Sequence, residues 1–294
     1  MLVEQLKQQK DFSPIERSIA NHFLASGESL RNQSARSIAA ELYTAPSTIS
    51  RFCKRLGYSG YNEFRNAYLD ELRYRSAAFA DIDANQPFRA GDDTRTIVDK
   101  MGALYRETVA DTLALVDNES LSKAVDLLSS ARTTVVYSAG TQAFVALDFA
   151  DKMARIGRQV LVPLKDDHAF FLGNDPKPDD VYLVISYSGE TPAVIRVAQH
   201  IHNQGGSIIA LTSYGRNTLS ELADVVLRVS TREKLVEKLG AYAMNISTLL
   251  ILDVLYSCVL ARDYNRNAIS RVRASHSFEL YRDSDNPILH DRRD

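Results

Sequence analysis

Between residues 133 and 229 the chain repeats one pattern: a short apolar run, then in most cases a stretch with helix-like spacing. The runs cover 133–137, 159–163, 181–187, 207–212 and 225–229. Regular alternation of strand and helix leaves little freedom, because parallel strands need crossover connections and those connections cover the sheet faces. The pattern predicts an α/β domain with a five-stranded parallel sheet flanked by helices. A helical pair over about 94–130 leads into it. A long helix from about Glu233 to Ala261 closes it.

Residues 1–77 have a different texture and read as all-helical. Ser13-Pro14-Ile15-Glu16 has the form of a capping box with proline at the first helical position. Ile15, Ile19, Phe23 and Leu24 follow at helical spacing. Gly57 suits a helix C-terminus, and Phe64, Ala67, Tyr68 and Leu72 mark one more helix. The two regions are joined by 76–93, which lacks periodicity and contains Pro87 and Gly91. The chain is thus expected to hold two domains. The all-α part spans 1–77, a linker and connecting helix 78–107, the α/β domain 108–262, and a polar tail without assignable fold 263–294.

Charge is divided unevenly. The net of −2 combines +3 over residues 1–77, from eleven Lys and Arg against eight Asp and Glu, with −5 over the rest. A basic excess confined to one small helical region suits nucleic acid, and equally suits a solvated helical face. The N-terminus lacks the basic start and apolar core of a signal peptide. The longest apolar stretch, 246–260, is broken by Ser247, Thr248, Asp253 and Ser257 and reads as a buried helix. A cytoplasmic protein with no membrane partner is expected. Cys53 and Cys258 lie far apart with no ligand-like neighbours, so neither a disulfide framework nor a metal site is suggested, and no cofactor is expected.

The run 34–57, SARSIAAELYTAPSTISRFCKRLG, has the shape of a helix-turn-helix. Ile49, Phe52 and Leu56 give the second helix an inward edge. Ser47, Arg51, Lys54 and Arg55 lie on the opposite stripe, with Thr48 near its start. Short polar groups and arginine near a helix N-terminus suit base edges; basic residues further along suit phosphates. Arg36 and Tyr58 are further candidates for backbone contact. Cys53 reads as packing. The plainer reading is a helical bundle with a cationic docking face. Residues 1–77, above all the run PSTISRFCKRLG, resemble the helix-turn-helix domain of the RpiR family of bacterial regulators. The family often has a capping serine where this chain has Ala45, so either Thr44 supplies the cap or the cap is lost, at a cost of about 1 kcal/mol.

A second motif lies where the run 181–187 ends, in Ser186-Tyr187-Ser188-Gly189-Glu190-Thr191-Pro192. A strand delivers these residues to the carboxyl edge of the sheet, where open α/β folds bind ligands. The helix that follows presents unpaired N–H groups and the positive end of its dipole. Hydroxyls add donors and Gly189 permits close approach. The loop has no lysine, which disfavours a nucleotide triphosphate. Serine and threonine at a helix start are also ordinary caps. Over about 108–262 the chain resembles the SIS (sugar isomerase) domain, which RpiR regulators join to their helix-turn-helix. The resemblance implies a phosphate cradle for a sugar phosphate at Ser186, Tyr187 (through its backbone), Ser188 and Thr191, and places Glu233 near the ligand. The first strand's loop departs from the domain's usual G-x-G-x-S: here it is Ser138-Ala139-Gly140-Thr141-Gln142. Thr141 and Gln142 still offer polar contacts. Gln142 can reshape the pocket toward another sugar, or point away and leave a weakened site.

Related SIS domains isomerise sugar phosphates, which requires a positioned base and help with ring opening. Glu190, Glu233, Glu237, His168, His200 and His202 are the candidates. Glu190 at a helix start and Glu237 beside Lys238 have structural explanations, the two later histidines suit solvent, and spacing shows no base–acid pair. The resemblance therefore implies a ligand-responsive transcriptional regulator, more often a repressor, acting as a homodimer or homotetramer on a roughly palindromic operator. The alternatives are a sugar phosphate isomerase and a regulator with a degenerate ligand site.

Overall fold

A computed structural model describes residues 2–77 and 82–278. The chain forms two compact units, the first reaching to Asp83 and the second beginning at Ala84.

The first unit is a bundle of α1 (Leu2–Gln8), α2 (Pro14–Ser26), a 3-10 turn (Gly27–Asn32), α3 (Ala35–Glu41), α4 (Pro46–Arg55) and α5 (Tyr61–Ala77). The Ser13 N–H and hydroxyl both donate to the Glu16 carboxylate, at 2.8 Å each, and start α2. The N-terminal residues are structural: Leu2, Val3 and Leu6 are buried, and the buried Glu71 carboxylate accepts from the N–H groups of Leu2 and Val3. Ile19, Phe23, Ile38, Ile49, Phe52, Phe64 and Tyr68 fill the core. Ile15, expected in the inward stripe, is instead partly exposed at 37 %. Cys53 is a packing residue; burial pushes its thiol up to about 12.

The second unit contains α6 (Thr94–Ala114), α7 (Asn118–Ser130), β1 (Thr133–Ser138), α8 (Gln142–Ala154), β2 (Val160–Leu161), α9 (Asp166–Leu172), β3 (Asp180–Ser186), α10 (Pro192–Asn203), β4 (Ser207–Ser213), α11 (Thr218–Leu222), β5 (Val225–Val229), α12 (Tyr242–Arg262) and α13 (Tyr264–Phe278). All five strands are parallel, in the order β2-β1-β3-β4-β5. Alternate side chains face opposite ways along each strand. Val136, Leu183, Ile185 and Leu211 meet α7, α8 and α12, while Val135, Tyr182, Val184 and Ala210 meet α9, α10 and α11. The three-layer arrangement is the one the apolar runs predicted.

The closing helix departs from the sequence reading. It begins at Tyr242, and residues 230–241 are irregular. Leu235, Val236 and Leu239 point outward, 57–88 % exposed. The helix is long and apolar enough to cross a membrane by length and composition. In this fold, however, Ile251, Leu252, Leu255 and Val259 pack in the core on one sheet face. The second unit also takes in 84–93, part of the stretch assigned from sequence to a linker: Ala84 and Pro87 are buried in it. The polar tail contributes α13, and residues 279–294 lie outside the described residues.

Candidate DNA-reading helix and candidate phosphate cradle

In the first unit, α3 and α4 are joined through Leu42-Tyr43-Thr44-Ala45. Ser34 caps α3, accepting from the Ser37 N–H at 3.1 Å. Ala45 stands at the cap position of α4 and no side chain caps it, so Thr44 does not take over and the cap is absent. Tyr43 holds the left-handed region at φ 51° with its ring 98 % exposed. The faces of α4 divide as the spacing predicted. Ile49, Phe52 and Cys53 are buried; Ser47, Arg51 and Lys54 are exposed, and Arg36 is exposed on α3. Thr48 is half-buried and accepts from the Arg51 guanidinium at 3.4 Å.

Arg55 is placed differently from its neighbours. Its guanidinium pairs with Glu16 at 2.6 Å, donates to the Asp11 carbonyl at 2.6 Å and lies over the Phe12 ring. Partial burial pushes the Glu16 carboxyl up, but hydrogen bonds from Ser13 and Arg55 outweigh it and hold the group below its ordinary value. Arg55 thus fastens the recognition-helix candidate to the start of α2. Tyr58 is half-buried and packs edge-on against Phe64 at 5.6 Å.

In the second unit, β3 ends at Ser186 and α10 starts at Pro192, so the Ser186–Thr191 loop sits at the carboxyl edge of the sheet. Thr191 occupies the cap position of α10 but makes no side-chain cap. Its hydroxyl turns back toward Ser186 Oγ at 3.0 Å and Ser188 Oγ at 3.5 Å. Three hydroxyls therefore converge beside a helix start that no side chain caps. Gly189 holds φ +65°, and a Cβ there would fall 2.1 Å from the Asn217 side chain. Asn217 in turn donates to Thr212 Oγ1 at 3.1 Å. The Glu190 carboxylate faces away from a substrate role: it accepts from the N–H and hydroxyl of Thr218, both at 2.7 Å, at the start of α11.

The Tyr187 side chain leaves the cradle and enters the core. Its hydroxyl donates to the Glu233 carbonyl at 2.8 Å and accepts from the Glu233 N–H at 3.0 Å. The buried Glu233 carboxylate accepts from the Ala243 N–H, at the start of α12, and faces Lys238 at 3.4 Å. Burial pushes this carboxyl up from its ordinary value, against the opposing pull of the Ala243 N–H and Lys238. Lys238 also brings its ammonium to 5.3 Å from the Tyr187 ring. Residues 230–241 are tied on the other side to Asn85. Asn85 Oδ1 accepts from the Lys234 N–H at 2.6 Å, and its carbonyl accepts from the Leu239 N–H at 2.9 Å. These bonds hold the segment out of the helix that its sequence suggests.

The β1–α8 connection reaches the same sheet edge. Thr141 is exposed and Gln142 is buried. Gln142 Nε2 donates to Asn245 Oδ1 at 2.6 Å, in the first turn of α12. Sequence reasoning missed Asn245, Asn217 and Asn85. Asn245 and Asn85 act through partners far along the chain, so no local spacing marks them, whereas Asn217 caps α11 with Ser220 three residues on, a box the sequence did offer. Of the candidate acid–base residues, His200 stacks on Phe170 at 3.8 Å, His202 bonds the Leu222 carbonyl, and Glu237 pairs with Lys234. None of these bonds reaches Glu233.

Comparison with known proteins fits both units. Residues 1–74 match the helix-turn-helix domain of the rpiR family, and residues 127–258 match the SIS domain. An HTH-type transcriptional regulator of Caldanaerobacter subterraneus subsp. tengcongensis is 28 % identical, over 86 % of this chain and 88 % of its own. A second such regulator, from Thermotoga maritima, is 27 % identical, over 89 % of this chain and 92 % of its own. Among solved structures, the NanR protein of Vibrio vulnificus in complex with ManNAc-6P aligns with a TM-score of 0.61 at 23 % identity. That alignment covers 96 % of this chain and all of NanR. The sugar isomerase domain of an RpiR transcription factor from Sphaerobacter thermophilus aligns at 0.54 with 17 % identity, covering 61 % of this chain and 98 % of that one. With an rpiR-type helix-turn-helix over 1–74, a SIS domain over 127–258, and transcriptional regulators that align nearly end to end, the chain has the two-domain organisation of RpiR-type regulators.

Proposed function

We propose that the protein is a DNA-binding transcriptional regulator of carbohydrate metabolism genes whose hold on DNA is set by a sugar phosphate. It acts in the cytoplasm, as a repressor, with two or more copies on a roughly palindromic operator. In the first unit, Ser47, Thr48 and Arg51 face base edges, and Lys54 and Arg36 face phosphates; Arg55 chiefly positions the helix. In the second, Ser186, Ser188 and Thr191, the Tyr187 backbone and the start of α10 hold the phosphate, with Thr141, Gln142 and Glu233 toward the sugar. The observation that carries this reading is the convergence of three hydroxyls on a helix start without a side-chain cap. An anion supplies there what a capping side chain supplies elsewhere.

The protein acts on its ligand by binding, not by turnover. Proton transfer between adjacent carbons needs a base free to approach the substrate. Glu233 is engaged with Ala243 and Lys238, and Glu190 with Thr218. Ligand changes DNA affinity by favouring one of two arrangements of the protein.

The test is thermal unfolding against a panel of sugar phosphates and their parent sugars, with ManNAc-6P included on the strength of the NanR likeness. A ligand at 100 times its Kd stabilises by about 2.7 kcal/mol. The expected result is a shift with one phosphate and not its parent sugar, lost in Ser188→Ala. That ligand should then change binding to DNA sites selected from random sequence. A ligand that Ser188→Ala binds as tightly as wild type would remove the loop from the site, and steady turnover of any panel member would overturn the regulator reading.

A further inference from the structure

Gln142 is the first residue of α8 and is 4 % exposed. Its carboxamide is half satisfied: Nε2 donates to Asn245 Oδ1 at 2.6 Å, while Oε1 is buried without a hydrogen-bond partner. Four residues earlier Ser138 Oγ is also buried without a partner, in a residue 6 % exposed. Ser138 is the last residue of β1 and lies in register with Ile185, directly before Ser186 of the cradle. Two unpaired polar atoms thus lie on the β1–α8 connection, at the sheet edge where β3 delivers the hydroxyl cluster. Buried polar groups are nearly always paired, because an unpaired one loses its hydration without compensation.

A carboxamide can normally turn over and offer either a donor or an acceptor. Here the bond to Asn245 selects one of the two. Asn245 Oδ1 takes the Gln142 N–H, so Oε1 is the atom left to present. Asn245 lies in the first turn of α12, two residues after Ala243, whose N–H the Glu233 carboxylate accepts.

We propose that Gln142, oriented by Asn245, is the specificity-determining residue of the sugar site: its Oε1 accepts a hydrogen bond from an O–H or N–H on the sugar ring, so that a ligand lacking that donor is rejected. This rests on the cradle holding a sugar phosphate. The phosphate gives affinity common to the whole ligand class. The Gln142 acceptor discriminates within it, because a site built around a ligand donor leaves its own acceptor unpaired when that donor is missing. Ser138 Oγ–H, free to rotate, donates to the same ring substituent or its neighbour. A hydroxyl and an acylamino group share the required chemistry.

The experiment is calorimetric titration of the full chain with hexose 6-phosphates, their 2-acetamido counterparts and their monodeoxy analogues. Wild type should bind a donor-bearing member about ten- to a hundredfold more tightly than the matching deoxy compound. The ring position where the gap opens identifies the atom read, and the 2-acetamido arm separates an N–H from an O–H. Gln142→Met, which keeps the volume, should close the gap by weakening only the donor-bearing ligand. Asn245→Ala should narrow it, and Asn245→Asp, which still accepts from Gln142 Nε2, should restore it. Gln142→Met or Asn245→Ala leaving the full gap, in protein whose unfolding matches wild type, overturns the proposal. A wild type that binds no panel member takes down the sugar phosphate reading and this proposal together. That outcome is distinct from tight binding insensitive to residue 142.

Discussion

Arg51 and Arg55 stand four residues apart on α4, and their surroundings separate their work. Arg51 is exposed and touches only the Thr48 hydroxyl of its own helix among the hydrogen bonds described. Arg55 bridges to Glu16, the Asp11 carbonyl and the Phe12 ring. Arg51→Ala should leave stability within about 0.5 kcal/mol and lower specific DNA affinity by about 1–3 kcal/mol while relaxing base preference at one position. Arg55→Ala should lower the stability of the helical domain by about 1 kcal/mol, since the exposed side of the pair is screened. Chemical denaturation and binding to selected DNA sites check both; a reversed pattern assigns the roles the other way. Glu233 gives a pH signature. Burial raises its carboxyl, so the folded chain holds that proton more firmly than the unfolded chain. Its contribution is fully present below the ordinary value of 4.5 and is lost as pH rises through the raised value. Glu233→Gln keeps an oxygen for the Ala243 N–H and should flatten stability against pH in that window. An unchanged profile would mean Glu233 ionises as freely folded as unfolded.

Elements defined by their own periodicity were legible in the sequence. The five strands fall on the five apolar runs because a sheet covered on both faces needs uninterrupted apolar side chains, and that need is written locally. The helix-turn-helix was legible for the same reason: Ile49, Phe52, Arg51 and Lys54 sort onto opposite faces by spacing alone. The stretch TREKLVEKL at 231–239 was misleading. It is rich in helix formers with apolar residues at helical intervals, yet Tyr187 and Asn85 hold its backbone irregular from either side. Those partners lie 46 and 149 residues away, and tertiary hydrogen bonds override helix propensity even in a stretch that favours it, because propensity amounts to only roughly a few tenths of a kcal/mol per residue. The site divides in the same way. The hydroxyls of Ser186, Ser188 and Thr191 sit within six residues and could be read. The pairing of Gln142 with Asn245, 103 residues apart, could not.

For the molecule as a whole, the 230–241 segment links two features that a ligand-controlled regulator must connect. One end of its bonding reaches Tyr187 in the cradle loop. The other reaches Asn85, two residues after the boundary between the units. Asn85→Ala should therefore leave ligand affinity and ligand-free DNA affinity near wild type, and reduce the coupling between them by about 0.5–2 kcal/mol. DNA titrations with and without ligand measure that coupling, and an undiminished ligand effect would exclude Asn85 from the route. The starting turn of α12 takes part in the same arrangement through Ala243 and Asn245. From there the helix runs 21 residues to Arg262, directly before α13. At 1.5 Å per residue that is a rod about 30 Å long, so a tilt of about 2° at its start carries its far end about 1 Å. If the sugar is held as proposed, the helix is a lever with its short end at the ligand, and a small tilt there would be felt along the core that Ile251, Leu252, Leu255 and Val259 share with the sheet.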